Sequence, residues 1–239
     1  MAATDSVLSD LTEGIYTITL NRPDKLNCIN LKMLDLLAQC LLEAETRDDI
    51  NIVVFRGAGE RAFSTGGDLT VFNGLDRNET ARWIKKGHEL FNRLERLEKP
   101  SIAVIQGYAY GGGLELALAC DFRLATKAAL FRLPEVLHGW PPGWGALQRL
   151  KRLIGEARAK EMILLTKIVN AETALAFGLV TDVVDAQTLE STLESLLQTL
   201  ISIDADVYGL AKSAMRPDSS ASAFDALAAL YGKLEASKK

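Results

Sequence analysis

The stretch Tyr108–Asp121, YAYGGGLELALACD, sets three consecutive glycines directly before an apolar segment rich in helix formers, with Glu115 inside that segment. Upstream, Ser101–Ile105 is a short apolar run of the kind that forms a buried strand. A strand, a glycine turn and a helix start together make an anion site. The first N–H groups of a helix have no intrahelical acceptor, and the helix dipole adds positive potential there. Glycine also lets a ligand approach the backbone without meeting a Cβ.

A second segment, Phe63–Leu69 (FSTGGDL), likewise follows an apolar run and can present backbone N–H groups. Two such donors aimed at one oxygen form an oxyanion hole, and losing one donor typically costs about 2.7–4 kcal/mol of transition-state stabilisation. The alternative is that each glycine cluster is only a tight turn. Nucleotide readings lack their spacing, because GYAYGGG is neither GxGxxG nor GxxxxGK[ST].

Glu115 has two readings of its own. It is either a first-turn acid favoured by the dipole, or a buried carboxylate kept for chemistry. Twenty residues later Glu135 follows Pro134 in FRLPEV. Alone it reads as a surface turn acid; with Glu115 it makes a pair able to share a water or a substrate proton.

Working outward, Ile15–Leu20 alternates as a half-buried strand, and NRPDK is its turn. Asn30 caps a helix in which Leu31, Leu34, Leu37, Leu41 and Leu42 recur at helical spacing. Ile50–Arg56 is a buried strand, and Glu79–Glu98 a mostly polar helix ended by Pro100. Phe122–Thr126 and Ala129–Leu133 read as strands around a turn. Helices follow at Trp144–Leu153, Glu156–Leu165 and Ala171–Phe177, the last stopped by Gly178, and LVTDVV holds a final strand. Beyond Gln187 the pattern is helical, broken at Pro217. Strands alternating with helices predict an α/β fold, with a core over residues 1–186 and a helical appendage over 187–239.

The chain has 239 residues, 48% hydrophobic, enough for one large core or two modest ones. A net charge of -4 argues against a general nucleic-acid binder. Cys28, Cys40 and Cys120 are odd in number without CxxC spacing, so reduced thiols in a cytoplasmic setting are expected. The two histidines, His88 and His138, form no metal motif. No apolar run suits a bilayer span, and MAATDSVLSD lacks the basic and apolar regions of a secretory signal.

Five segments, in order, carry a family resemblance: LNRPDKLNCIN, FRGAGERAFSTGGDL, KPSIAVIQGYAYGGGLELALACDFRLAT, FRLPEVLHGWPPGWGALQRLKRLIG and AFGLVTDVV. Over essentially its whole length the chain resembles the crotonase, or enoyl-CoA hydratase/isomerase, superfamily. The resemblance implies a spiral of ββα units with C-terminal helices used in trimer contacts, giving a homotrimer or a hexamer made of two trimers. It implies that the N–H groups of Gly67 and Gly112 hold the thioester oxygen of an acyl-CoA. Glu115 and Glu135 match the two glutamates that add water across a 2-enoyl-CoA double bond. Lys25, Leu26 and Asn27 match the stretch lining the CoA entrance, with Lys25 and Arg22 as phosphate contacts or as solvated cations. Gly67, Asp68, Leu69 and Thr70 match the segment meeting the adenine and pantetheine side. No metal, flavin or nicotinamide is implied, because the thioester is itself the electron sink.

Departures from the family pattern bear on this. Gly67 stands where many relatives carry alanine. Arg132 either lowers the pKa of Glu135 or points outward along its strand. Trp140 and Trp144 replace small residues of a glycine-rich pattern and either narrow the acyl pocket or pack the core. Competing functions are another crotonase-type reaction (isomerisation, decarboxylation or thioester hydrolysis), a silent CoA binder, or a serine hydrolase built from Ser64, His138 and Asp68. The last lacks a GxSxG elbow.

Overall fold

Two strands, Val7–Thr12 (β1) and Ile15–Leu20 (β2), form an antiparallel hairpin at the start of a computed structural model that describes residues 5–72, 74–216, 225, 228 and 229. The elements that follow are Leu31–Thr46 (α1), Ile52–Gly57 (β3), Ala62–Ser64 (β4), Leu69–Phe72 (α2) and Arg77–Arg96 (α3). Next come Ser101–Ile105 (β5), Tyr108–Tyr110 (β6), Gly112–Ala119 (α4), Phe122–Thr126 (β7) and Leu130–Arg132 (β8). The rest are Ala146–Leu164 (α5), Val169–Asn170 (β9), Ala171–Phe177 (α6), Asp182–Val184 (β10), Leu189–Ile201 (α7) and Ala205–Ala214 (α8).

The strands divide between two sheets. The larger has the order β1-β2-β3-β5-β7-β10 and the smaller β4-β6-β8-β9. Within them β2-β3-β5-β7-β10 and β4-β6-β8 run parallel. Each successive stretch therefore lays one strand on the large sheet, one on the small sheet, and then a helix. This is the ββα spiral the resemblance implies. Phe122–Thr126 and Ala129–Leu133 are strands around a turn as expected, and the turn carries the chain from the large sheet, which holds β7, to the small one, which holds β8.

The buried strands obey a period of two. Val53, Phe55, Ala103 and Ile105 face the spiral's interior, alongside Ile18, Leu37 and Phe91. Ile52, Val54, Ile102 and Val104 face the other way, onto Leu189, Leu193, Leu197 and Leu200 of α7. Burying each such side chain is worth about 1.5–3 kcal/mol. Both faces of the parallel strands are thus covered, which accounts for their unbroken apolar runs. Only part of the expected 187–239 region is described. α7 and α8 belong to it, while the break at Pro217 lies outside the described residues.

Local signals set the helix ends. Asn30 accepts a hydrogen bond from the Met33 N–H, and Asp76 forms a capping box with Glu79. The polar run begins its helix at Arg77, not Glu79, because of that cap. Gly155 has φ +78 and interrupts α5, so the two expected helices follow each other with a kink between. β4 carries a bulge: Ala62 pairs with Tyr108 and Ser64 with Ala109, leaving Phe63 as an extra residue. Among the described residues no helix is long and apolar enough to cross a membrane.

Candidate active site

The three glycines of Tyr108–Asp121 serve three ends. Gly111 turns the chain from β6 into α4 with φ +50, a conformation that L side chains rarely take. A Cβ on Gly112 would lie 2.3 Å from the Trp144 ring, and one on Gly113 would lie 2.3 Å from the Ser64 carbonyl oxygen. Glycine is needed here for packing as much as for ligand approach.

Gly112 is the first helical residue, and its N–H has no intrahelical acceptor. Gly67 lies on the neighbouring turn of the spiral. Ile29 donates its N–H to the Gly66 carbonyl (2.7 Å), and Asp68 donates to the Ile29 carbonyl (2.9 Å). In that parallel bridge the N–H of Gly67 points to the opposite edge, toward β6 and α4. No acceptor for the N–H of Gly67 or Gly112 occurs among the described residues. The two segments touch, since a Cβ on Gly66 would be 2.6 Å from the Gly112 nitrogen.

A cavity of about 330 Å³ opens over these groups, lined by Gly67, Gly112, Glu115 and Glu135 among others. Glu115 is 2% exposed, and its Oε1 accepts the Trp144 N–H (2.8 Å) and the Ala146 N–H (3.0 Å). It therefore sits at the N-terminus of α5 as well as in the first turns of α4, where two helix dipoles favour a negative charge. Burial still pushes its carboxyl up to about 7, against the lowering pull of those two N–H groups. Glu135 begins a 3-10 turn, Glu135–His138, and its Oε2 is buried without a hydrogen-bond partner among the described residues. Burial, with the charge of Glu115 added, pushes Glu135 up to about 8. The isolated turn-acid reading of Glu135 does not hold.

Arg132 takes the outward alternative. Its Nε donates to the Thr166 carbonyl (3.0 Å), and it plays no part in the shift at Glu135. Lys25, Asp68, Leu69, Trp140 and Trp144 line the cavity, whereas Leu26 and Thr70 do not. Arg22 is tied to the Asp68 carboxylate (2.8 Å) and the Cys28 carbonyl (2.8 Å), so it is not a free phosphate contact. Burial works against the Asp68 anion, yet the Thr70 hydroxyl and Arg22 hold it down to about 2.

The serine triad fails. Ser64 is fully buried, donates to the Asn27 carbonyl (2.8 Å) and accepts from the Gly66 N–H. Asp68 is engaged by Arg22 and Thr70, and His138 is exposed, stacked on Trp140. Among the described residues no cluster of His, Cys, Asp or Glu could hold a metal ion, and Cys28, Cys40 and Cys120 are free thiols.

Two residues escaped sequence reasoning. Trp83 lines the cavity from α3, and its signal was the buried series Trp83, Gly87, Leu90, Phe91, Leu94 within a helix read as mostly polar. Arg149, 2% exposed, donates to the Trp144 carbonyl (2.9 Å), to Asn92 (2.7 Å) and to Glu95 (2.9 Å). It clamps the loop whose N–H groups hold Glu115. Trp144 satisfies both readings of the aromatic insertions, being 4% exposed and also a cavity wall.

Residues 10–235 match the family described as Enoyl-CoA hydratase/isomerase. The chain is 35% identical over 211 residues to the short-chain-enoyl-CoA hydratase of Clostridium acetobutylicum, covering 88% of this chain and 81% of that one. It is 31% identical to the crotonyl-CoA hydratase of Syntrophomonas wolfei, covering 89% and 82%. Its backbone matches the crystal structure of an enoyl-CoA hydratase from Bacillus anthracis with a TM-score of 0.85 at 35% identity, covering 88% and 82% of the two chains.

Proposed function

The chain belongs to the enoyl-CoA hydratase/isomerase family, the crotonase superfamily, and from that premise we propose that it reversibly hydrates a 2-enoyl-CoA to a 3-hydroxyacyl-CoA. The observation that carries this reading is a single cavity lined by two glycines with unpartnered N–H groups, by the buried carboxyl of Glu115 and by the half-buried Glu135, whose Oε2 is buried. The thioester oxygen binds at the N–H groups of Gly67 and Gly112, which strengthen their hold as it gains enolate charge. The charge settles on that oxygen, so the reading calls for no metal, flavin or nicotinamide.

The carboxyls divide the proton work by their surroundings. Glu115 accepts two N–H bonds and keeps the charge; Glu135, with an unpartnered oxygen, keeps the proton. Glu115 takes a proton from water as the water oxygen bonds to C3 of the enoyl group. The double-bond electrons move to the thioester as an enolate, which Glu135 protonates at C2. Proton exchange with solvent then returns both acids to their starting states. In this reading Lys25 meets a CoA phosphate, while Leu26, Asp68, Leu69 and Thr70 border the cofactor arm and Trp140 the mouth.

The same reading includes homotrimers, or hexamers of two trimers. Support comes from the exposed apolar side chains of Leu164, Leu165 and Met215. Light scattering of the purified chain measures the assembly.

The test of activity is loss of the enoyl thioester absorbance with crotonyl-CoA. Hydration supports the reading. Tight acetyl-CoA binding with no hydration of any enoyl-CoA overturns it, in favour of isomerisation, decarboxylation, hydrolysis or silent binding.

A further inference from the structure

The cavity lining is of two kinds: Lys25, Asp68 and Leu69 come from the segments after β2 and β4, and Trp83, Ile84 and Trp144 come from α3 and the loop before α5. On the acyl-CoA reading, a thioester held by Gly67 and Gly112 would place its charged arm on the polar lining and its acyl tail against the apolar one. The apolar lining is made largely of aromatic side chains in close contact with their neighbours. A Cβ on Gly67 would lie 2.5 Å from the tip of the Trp83 indole, and one on Gly112 would lie 2.3 Å from Trp144. Each donor glycine thus has a tryptophan edge against it.

Trp144 has no room to retreat, and Trp83 is packed against it. Trp83 and Trp144 meet edge to face at 5.0 Å, and Phe91 backs Trp144 edge to face at 5.4 Å. Gly87 admits the Trp144 indole nitrogen, which would be 2.3 Å from a Cβ placed there. Trp83 is 6% exposed and Trp144 4%. Close packing of this kind resists rearrangement, because shifting one ring forces its neighbours off their rotamers. Ile84 finishes the wall, with its Cγ2 at 3.1 Å from a Cβ built on Gly143.

We propose that Trp83 and Trp144 form a rigid end wall that restricts the site to short, apolar 2-enoyl groups, with Trp83 the residue that sets the length limit. This inference rests on the acyl-CoA reading above and deepens it by naming the substrate class. Trp83 is the cleaner handle of the two, because the Trp144 N–H also holds Glu115.

The experiment measures kcat/KM for unbranched 2-enoyl-CoA thioesters from four to twelve carbons, with the wild-type chain, Trp83→Leu and Trp83→Ala. In the same samples, binding of saturated acyl-CoAs of matching lengths is followed by calorimetry. A methylene gained or lost in an apolar pocket changes kcat/KM by about 10–200-fold. The wild-type ratio of eight-carbon to four-carbon activity is therefore expected to fall at least about 100-fold below unity. Trp83→Leu and Trp83→Ala are each expected to raise that ratio at least about tenfold. Two variants of different size guard against one that does not fold, and circular dichroism identifies it. Equal wild-type activity from four to twelve carbons overturns the proposal, as does a ratio unmoved by both variants. If no thioester is hydrated, the hydratase reading fails by itself. The length limit then stands or falls on whether saturated acyl-CoA binding weakens with length in the wild type and recovers in the variants.

Discussion

Replacing Glu115 by glutamine separates the electrostatic strain of this carboxylate from its structural role. Glutamine keeps an oxygen to accept the Trp144 and Ala146 N–H groups, so the junction of α4 and α5 retains its hydrogen bonds. What disappears is a charge buried at 2% exposure. Burial pushes the folded carboxyl up to about 7 from an ordinary value of 4.5. Between those values the folded chain binds more protons than the unfolded chain, so stability falls as pH rises through that window and levels off above it. A difference of that size corresponds to about 3 kcal/mol at most. Removing the charge also eases ionisation of Glu135, which acts in the same direction.

The variant should match the wild type near about pH 4.5 and melt roughly 6–12 °C higher at about pH 8, since 1 kcal/mol moves Tm by about 2–4 °C in a chain of this size. Thermal unfolding followed by circular dichroism across that pH range reads the difference. A gap that does not change with pH, or a variant less stable than the wild type at the alkaline end, refutes the reasoning.

Glu135→Gln should lower kcat for crotonyl-CoA by about 10²–10⁴-fold. It should also abolish the decline in rate expected of the wild type as pH rises through about 8, where its proton donor is lost; an unchanged pH profile would count against Glu135 as the acid. Gly66→Ala would place a methyl group 2.6 Å from the Gly112 nitrogen at a φ of +88, and kcat/KM should drop about 10²–10³-fold as one oxyanion donor is covered. Near-normal turnover in a folded Gly66→Ala chain would remove Gly112 from the oxyanion role. Arg149→Met leaves the Trp144 carbonyl without its buried donor and Glu95 with Arg152 alone, and should cost about 1–3 kcal/mol in urea unfolding. A loss below about 1 kcal/mol would show that the loop holds itself.

Much of this architecture can be read directly from the chain. Ile15–Leu20 and Ser101–Ile105 match their strands residue for residue, because alternation and unbroken apolar runs report burial on one face or two. β1 escaped notice: Leu8, Ser9 and Asp10 are exposed on a sheet edge, where no core imposes a pattern. The spiral itself leaves no visible sequence repeat, since its turns share a path and not a composition. At the site, the glycines and Glu115 announce themselves through a local clash of chemistry, a flexible run and a carboxylate beside leucines. Glu135 and Trp83 do not. Their burial is created by other turns of the chain, and a proline turn or an otherwise polar helix gives no hint of it. Arg22 and Arg132 show the converse: cations near site residues in sequence whose side chains are engaged with Asp68 and Thr166.

The extra residue Phe63 in β4 has an effect well beyond its own strand. Counting on from Ser64 opposite Ala109, Gly67 comes level with Gly112; were Phe63 paired in regular register after Ala62 opposite Tyr108, Gly66 would stand there instead. Amides on a pleated backbone alternate in direction, so a step of one residue would turn the wrong N–H toward the thioester. The spacing of the two donors is thus a matter of phase between adjacent turns, kept by a bulge that absorbs Phe63, three positions before the first glycine of FSTGGDL. A β4 that paired without this bulge would keep every catalytic side chain in the sequence and still set Gly66 where Gly67 belongs.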